Sequence, residues 1–514
     1  MLDATPLLAA YAMWRRRQLA RQDPRAAQQR QLMALLAKAA ATEFGRRHRF
    51  DGIRSVAQFQ QRVPLRRFRQ LDEEYWRSAY PRLSNCTWPG TIPYFAVTSG
   101  TASGVSKHIP VSRAMIAANR RAALDVLVHH LAACPRSRVF GGKTLMLGGS
   151  TDLVAEPGGA WRGDLSGIAF REVPWWALPF SYPPRQVALM SDWDGKTDIM
   201  ARASLDQDIR AVSGTANWLQ LFLDKLMSLD PSRGRRLSAF YPRLELIVHG
   251  GVDFRPYRGH FQRILEGTGV DLREVYAASE GFIAVADRGY GEGMRLILDN
   301  GLFFEFVPVE ELPAAAPTRH WVGTIETGVD YVVVLSSCAG LWAYMLDDTI
   351  RFVEGDWPRL LITGRTSYFL SAFGEHLSGE QIDQAVAGAA EALRVELTDF
   401  SVGPVFPDAE QRAGRHLVIA ELSMAAPTDP SFAAAFAAEV DSRLRRANLD
   451  YRDLRAGDFG LLPPRVQLVP PGTFSRWMRR RGRLGGQNKV PRVIGNAELF
   501  GDLRHFCDDG NGRP

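Results

Sequence analysis

The sequence predicts an α/β protein, with a large N-terminal domain of β-sheets flanked by helices and a small α+β C-terminal domain. Three observations carry this expectation. Short apolar runs repeatedly end in glycine or small polar residues, helical periods lie between them, and composition shifts after Leu361-Ile-Thr-Gly-Arg365. At 514 residues and 46% hydrophobic, the chain can build a sizeable core in more than one domain.

In chain order, Leu7-Leu-Ala-Ala-Tyr-Ala-Met-Trp14 followed by Arg15-Arg-Arg17 reads as the start of an amphipathic helix. It is shorter than the ~20 apolar residues of a membrane span, and its charges follow the apolar part where a secretory signal places them before it. Strand candidates are Tyr94 to Val97, Thr144 to Leu147, Leu244 to Val248, Val275 to Ala278 and Tyr331 to Leu335, each opening into a small-residue loop. If these strands are neighbours, all five loops face one crevice at the carboxyl ends of the strands. Helical patterns run from Ile116 to Leu131 and from Trp218 to Leu229.

Beyond the composition shift, Ser378-Gly-Glu-Gln381 offers a capping box for a helix through Leu393, with Ile382, Ala385, Val386 and Ala389 on one face. Strands are expected at Leu397 to Val402, Leu417 to Leu422 and Arg465 to Val469, with a long Ala-rich helix from Ser431 to Arg446. The expected domains are therefore 1–364 and 365–514, the second of ordinary domain size.

Net charge is +7 among 119 charged residues, which fits an anionic substrate as well as it fits nucleic acid. No basic stripe is interleaved with stacking aromatics, which argues against a nucleic-acid binder. Four cysteines, Cys86, Cys134, Cys338 and Cys507, lie far apart with no metal-binding spacing, the pattern of a reducing, cytoplasmic compartment. The histidines form no ligand cluster, and His129-His130 fits a helix.

The most informative stretch is Thr98-Ser-Gly-Thr-Ala-Ser-Gly-Val-Ser-Lys107. Gly100 and Gly104 let backbone N–H groups turn toward an anion, the hydroxyls of Thr98, Ser99, Thr101 and Ser103 add donors, and Lys107 adds a point charge. The spacing is not that of a Walker loop, and the pattern alone also fits an ordinary Gly/Ser surface loop. The chain has six lysines among 63 basic residues, so arginine is its default cation and a lysine at 107 or 489 needs a reason. A compact ammonium suits a phosphate or a reacting carboxylate at close quarters.

Three other segments stand beside this one. Tyr276-Ala-Ala-Ser279-Glu280-Gly281 sets one carboxylate in a small-residue turn, the type of oxygen donor that magnesium takes; a solvated loop glutamate is the plain alternative. Tyr344-Met-Leu-Asp347-Asp348-Thr-Ile-Arg351 offers a carboxylate able to accept from two hydroxyls, or an ordinary hairpin turn. Gln487-Asn-Lys489-Val-Pro-Arg492 carries the second unusual lysine, or forms a basic tail.

Taken together and in order, TSGTxxGxxK with Pro110, HGG, YxxSEG, YxxxDxxR, a Gly-Arg hinge with GEHLSGEQ, then Gly472-Thr-Phe474 and QxKxPR resemble the adenylate-forming acyl ligases. The details are most similar to the plant-type acyl acid amido synthetases that conjugate jasmonate or auxin to amino acids, and to their bacterial relatives. Asp347 stands where that family has glycine, Met345 where it has arginine, and Asn488 where it has tyrosine.

The resemblance implies ATP and Mg2+ as cofactors, and a two-step ligation of a small carboxylic acid to an amine, an amino acid by preference. It implies phosphate contacts from Thr98, Ser99, Gly100, Thr101, Gly104 and Lys107, with magnesium at Glu280 beside Ser279. Ribose falls to Asp348, the adenine surround to His249, Gly250, Gly251 and Tyr276, and support of the ribose and hinge to Arg351 and Arg365. Lys489, delivered by the small domain, would stabilise charge at the α-phosphate. Trp175, Trp176, Phe180, Tyr182 and Trp218 are candidates for an acyl pocket, or for core. The rival readings are an acyl-CoA ligase sharing the first step, a non-catalytic adenylate-binding protein, and a membrane-surface protein anchored by residues 7 to 17.

Overall fold

The structure is a computed structural model that describes residues 3–98, 107–148, 153–188, 190, 193–251, 254, 257–312, 314–365, 369–408, 413–422, 430–458, 460–481 and 490–508. They form two compact units. The larger holds the described residues of Met1–Thr98, Lys107–Gly251 and Arg258–Thr366; the smaller holds those of Val252–Tyr257 and Ser367–Pro514.

The larger unit is organised on a 12-stranded mixed sheet. One end of it is parallel: Ser181–Tyr182, Lys143–Met146, Ile209–Thr215, Leu246–Gly250 and Asp271–Ala278 follow one another in register. The sheet then turns antiparallel through Gly281–Val285, Met294–Leu296, Arg359–Arg365, Tyr344–Glu354, Asp330–Ser337 and Leu302–Pro308 to His320–Trp321. A second sheet of four strands holds Tyr94–Thr98 between Lys107–Val111, antiparallel, and Trp161–Gly163, parallel.

This corrects the single-crevice expectation. Tyr94–Thr98 belongs to the separate sheet, Asp330–Ser337 lies in the antiparallel half, and Ile209–Thr215, absent from the strand candidates, sits between Lys143–Met146 and Leu246–Gly250.

The helices follow their periods closely. Arg113–Ala133 starts where the Ser112 hydroxyl accepts the Met115 N–H, satisfying one of the unpaired donors of the first turn. Thr5–Ala20 buries Thr5, Leu8, Ala12 and Leu19 on one side and packs against Arg113–Ala133, where Leu8 and Ala12 meet Val128 and Leu131. Arg15 fixes that contact by bonds to Asp125 and Asp299, so the triplet after the apolar run is in part a packing device. Among the described residues no helix is long and apolar enough to cross a membrane.

The smaller unit has a three-stranded sheet, Leu397–Val405, Arg415–Leu422 and Arg465–Val469, close to the expected strands. Helix Gly379–Ala392 buries Ile382, Ala385, Val386 and Ala389, the predicted face, and Pro430–Ala447 packs on it. A core of Leu417, Ile419, Phe474, Trp477, Ile494, Phe500 and Leu503 closes the sheet. Two residues from earlier in the chain are counted with this unit. Tyr257 donates from its hydroxyl to the Ala372 carbonyl at 3.2 Å and sets its ring edge-on to Phe406.

Candidate active site

Four segments of the larger unit meet at the site. Lys107 opens strand Lys107–Val111 directly opposite Thr98, so these two residues bracket the glycine-rich loop. Ser99, Gly100, Thr101, Ser103 and Gly104 lie outside the described residues, as does Lys489 of the smaller unit.

Glu280 occupies the two-residue turn, Ser279-Glu280, that joins Asp271–Ala278 to Gly281–Val285. The turn is tight because Gly281 adopts φ +154, and a side chain there would meet Leu302 at 2.9 Å. Leu302 is itself held from behind, its carbonyl accepting from the buried Gln28 amide. Glu280 is buried, and burial pushes its carboxyl above the usual carboxylate range; the Lys107 charge opposes that shift, while the Asp348 charge adds to it. The Tyr344 hydroxyl is hydrogen-bonded to Glu280, and burial with that nearby carboxylate holds the phenol well above its usual range.

Asp348 projects from a distorted stretch of Tyr344–Glu354. Val332 pairs with Thr349 and Val334 with Met345, so three residues, 346–348, stand against one. Such a bulge re-aims side chains that strict alternation would send to opposite faces. The Tyr276 hydroxyl donates to Asp348 Oδ2 at 2.7 Å, which fixes that carboxylate beside the Asp271–Ala278 strand. Asp347 faces Lys107, Oδ2 to Nζ at 3.4 Å, and accepts at Oδ1 from Arg67 Nη1 at 2.6 Å. Arg67 is brought there by a bridge of Arg66 to Tyr344, in which Arg66 N–H donates to Ala343 and Met345 N–H to Arg66.

His249, Gly250 and Gly251 end the neighbouring strand, with Gly250 in register with Val275 and so next to Tyr276. A Cβ at Gly250 would overlap the Val275 carbonyl oxygen, which is why glycine is needed. His249 is a buried strand residue whose imidazole burial pushes down to about 4, so it is neutral at ordinary pH. Arg365 ends Arg359–Arg365 opposite Asp348.

Arg351 does not join this group. Its exposed guanidinium forms two bonds with Asp330 on the adjacent strand, at 3.0 and 2.6 Å, because three residues beyond Asp348 the regular pairing has resumed and the side chain points to solvent. Four of the five aromatic candidates for an acyl pocket have different surroundings. Trp175 and Trp176 are exposed, Phe180 packs on Phe140, and Tyr182 is a core residue bonded to the Met200 carbonyl.

Sequence reasoning missed Arg67 and the role of Tyr344. Their only signal was the bridge between distant segments, which no local pattern encodes. Among the described residues, His130, Cys134 and Asp271 place possible ligand atoms close together. Both His130 nitrogens are already engaged there, with Asp271 at 2.8 Å and Ser137 at 2.9 Å, as expected for a helix end tied to a sheet. Cys86 and Cys338 are buried thiols pushed up to about 12 by burial, inert at ordinary pH.

Family models match most of this framework: the GH3 family N-terminal domain over residues 15–161, the central domain over 295–365 and the C-terminal domain over 380–498. The chain belongs to the GH3 family. Its site segments fall within the three GH3 matches or, for Leu246–Gly251 and Tyr276–Gly281, between the first two.

Among curated GH3 proteins, indole-3-acetic acid-amido synthetase GH3.3 of Arabidopsis thaliana is 25% identical over 232 residues, 43% of this chain and 38% of that protein. Jasmonoyl–L-amino acid synthetase GH3.5 of Oryza sativa subsp. japonica is 27% identical over 218 residues, 37% of this chain and 35% of that protein. The chain thus matches less than two-fifths of the length of either of these relatives.

Among solved structures, the GH3.15 acyl acid amido synthetase superposes with a TM-score of 0.57 at 19% identity, covering 93% of each chain. A 2-hydroxyisobutyryl-CoA ligase in complex with 2-HIB-AMP and CoA superposes at 0.56 and 16% identity, over 94% of this chain and 92% of that one. The mixed α/β fold, with its large sheet-rich domain and smaller C-terminal domain, is shared with both of these structures.

Proposed function

We propose that this GH3 protein is an ATP-dependent, AMP-forming acyl acid amido synthetase. In the first step a carboxylate oxygen attacks the α-phosphorus of ATP, the bond to the β-phosphate breaks, and pyrophosphate leaves. In the second, an amine nitrogen, by preference that of an amino acid, attacks the acyl carbon, gives up a proton and displaces AMP. The observation that carries this reading is the meeting of Lys107, Glu280, Tyr276 and Asp348 within one unit, beside the strand pair that brackets the glycine-rich loop.

Chemistry of this kind depends on positioning and charge neutralisation more than on a nucleophilic side chain. Lys107, with Thr98, Ser99, Gly100, Thr101 and Gly104, would take the phosphates. Asp348, oriented by the Tyr276 hydroxyl, would accept from the ribose hydroxyls. His249, Gly250 and Gly251 would border the base, with Ser279 in the turn beside it. Lys489 would reach the α-phosphate from domain 365–514, while 1–364 would hold both ATP and the acid. Arg365, in register with Asp348, would support the ribose and the hinge, whereas the ion pair of Arg351 with Asp330 leaves it a strand-fixing role.

Magnesium fits this donor set: Glu280 is a hard oxygen ligand whose charge is costly to bury without a cation nearby. Glu280 would hold the ion, which when bound neutralises charge on the phosphates. Free, widely spaced cysteines agree with cytoplasmic residence.

The test is an ATP–pyrophosphate exchange screen over a library of carboxylic acids, followed by mass spectrometry of products with amino acids and with CoA. Exchange with an acid and an amide product support the reading. Exchange followed by an acyl-CoA, with amino acids inert, replaces the amine step by thioester formation, and no exchange with any acid overturns the adenylation itself.

A further inference from the structure

Asp347 lies between two cations. Its Oδ1 accepts from Arg67 Nη1 at 2.6 Å and its Oδ2 faces Lys107 Nζ at 3.4 Å. The Lys107 and Asp347 side chains are only 12% and 11% exposed, so this is not a solvated surface pair and its charges are weakly screened. The charge of the same ammonium also acts on the buried Glu280. Lys107 therefore stands among carboxylates before any anion arrives. The contact is built into the backbone, since the 346–348 bulge turns Asp347 toward Lys107 while the Arg66–Tyr344 bridge carries Arg67 to its far oxygen.

A carboxylate with one oxygen on each of two cations occupies the donors that two oxygens of a phosphate would take. We propose that Asp347 is an internal counter-anion that competes with the nucleotide's phosphates for Lys107 and Arg67, and so sets the affinity for ATP and for pyrophosphate. The inference rests on the adenylation reading above. Its consequence is two-sided. The charge that weakens ATP binding also hastens the departure of pyrophosphate, whose lingering would favour reversal of the first step.

The experiment is direct binding of inorganic pyrophosphate and of Mg-ATP to the full-length protein, by calorimetry at low and moderate salt. Asp347→Asn preserves shape and removes the charge, and Asp347→Ser does so with a smaller side chain, so a folding defect in one does not decide the outcome. Both are expected to bind pyrophosphate on the order of tenfold more tightly than wild type, with most of the gain retained at the higher salt because the Lys107–Asp347 pair is weakly screened. In a Lys107→Met, Arg67→Met background the gain should fall below twofold, because both competed donors are gone. Glu498→Gln, the same change in net charge at an exposed position of the smaller unit, should shift binding less than twofold. Unchanged or weaker binding in both Asp347 variants overturns the inference while leaving adenylation standing. A wild-type protein that binds neither pyrophosphate nor ATP overturns both together.

Discussion

At the scale of single residues, Glu280 sets stability against function. Burial raises its carboxyl, so between the ordinary carboxylate range and its folded value the folded chain keeps a proton that the unfolded chain has released. Stability therefore falls as pH rises through that window, and the loss persists at neutral pH. Glu280→Gln should then melt at or above the wild-type temperature at pH 7 to 8, with the difference vanishing near pH 4. Its magnesium-dependent exchange should drop by roughly 100-fold or more. Wild-type exchange in this variant would remove Glu280 from the site. Asp348→Ala should raise KM for ATP about tenfold with a smaller change in kcat, since a ribose contact is mostly uniform binding; a change confined to kcat would reassign it. Lys107, Glu280 and Asp348 could be found in the sequence because each has a local signature: a rare lysine, a small-residue turn, a tyrosine four residues ahead. Arg67 could not. It is one arginine among many, and its partner Asp347 lies 280 positions away.

At the scale of elements, the Leu246–Gly250 strand shows what a glycine next to a site can be for. Gly250 lets the chain pass against the Val275 carbonyl, and that closeness aligns the His249–Gly251 end with Tyr276. Gly250→Ala should therefore destabilise the protein by about 2–3 kcal/mol, measured by urea unfolding, and weaken ATP binding in parallel. Unchanged stability would mean that the neighbouring strand yields freely. Helices such as Arg113–Ala133 and Pro430–Ala447 were readable because a helix carries its period within itself. Strand pairing is not local. Ile209-Arg-Ala-Val-Ser-Gly-Thr215 mixes charge, hydroxyls and glycine yet fills a place between two parallel neighbours, and nothing in Tyr94 to Val97 says that its partners form a sheet of their own.

At the scale of the whole molecule, the adenylation reading assigns Lys489 to the α-phosphate. Lys489→Ala should cut adenylation by about 100- to 1000-fold, the usual cost of losing one preorganised electrostatic stabiliser, and Lys489→Arg should rescue little. Aminolysis of a chemically supplied acyl adenylate should stay largely intact; equal loss in both half-reactions, or in neither, would make Lys489 structural. The expectation of two domains rests on a composition shift near Arg365, because a new core brings a new pattern of apolar residues. What composition could not reveal is the placement of Tyr257, more than a hundred positions before that shift, against Ala372 and Phe406. The smaller unit is thus discontinuous, and a fragment begun at residue 369 would carry an unfilled aromatic socket. Such a fragment should be less soluble than the intact protein, and a synthetic peptide spanning 250–260 should complement it, much as a missing piece restores a split protein.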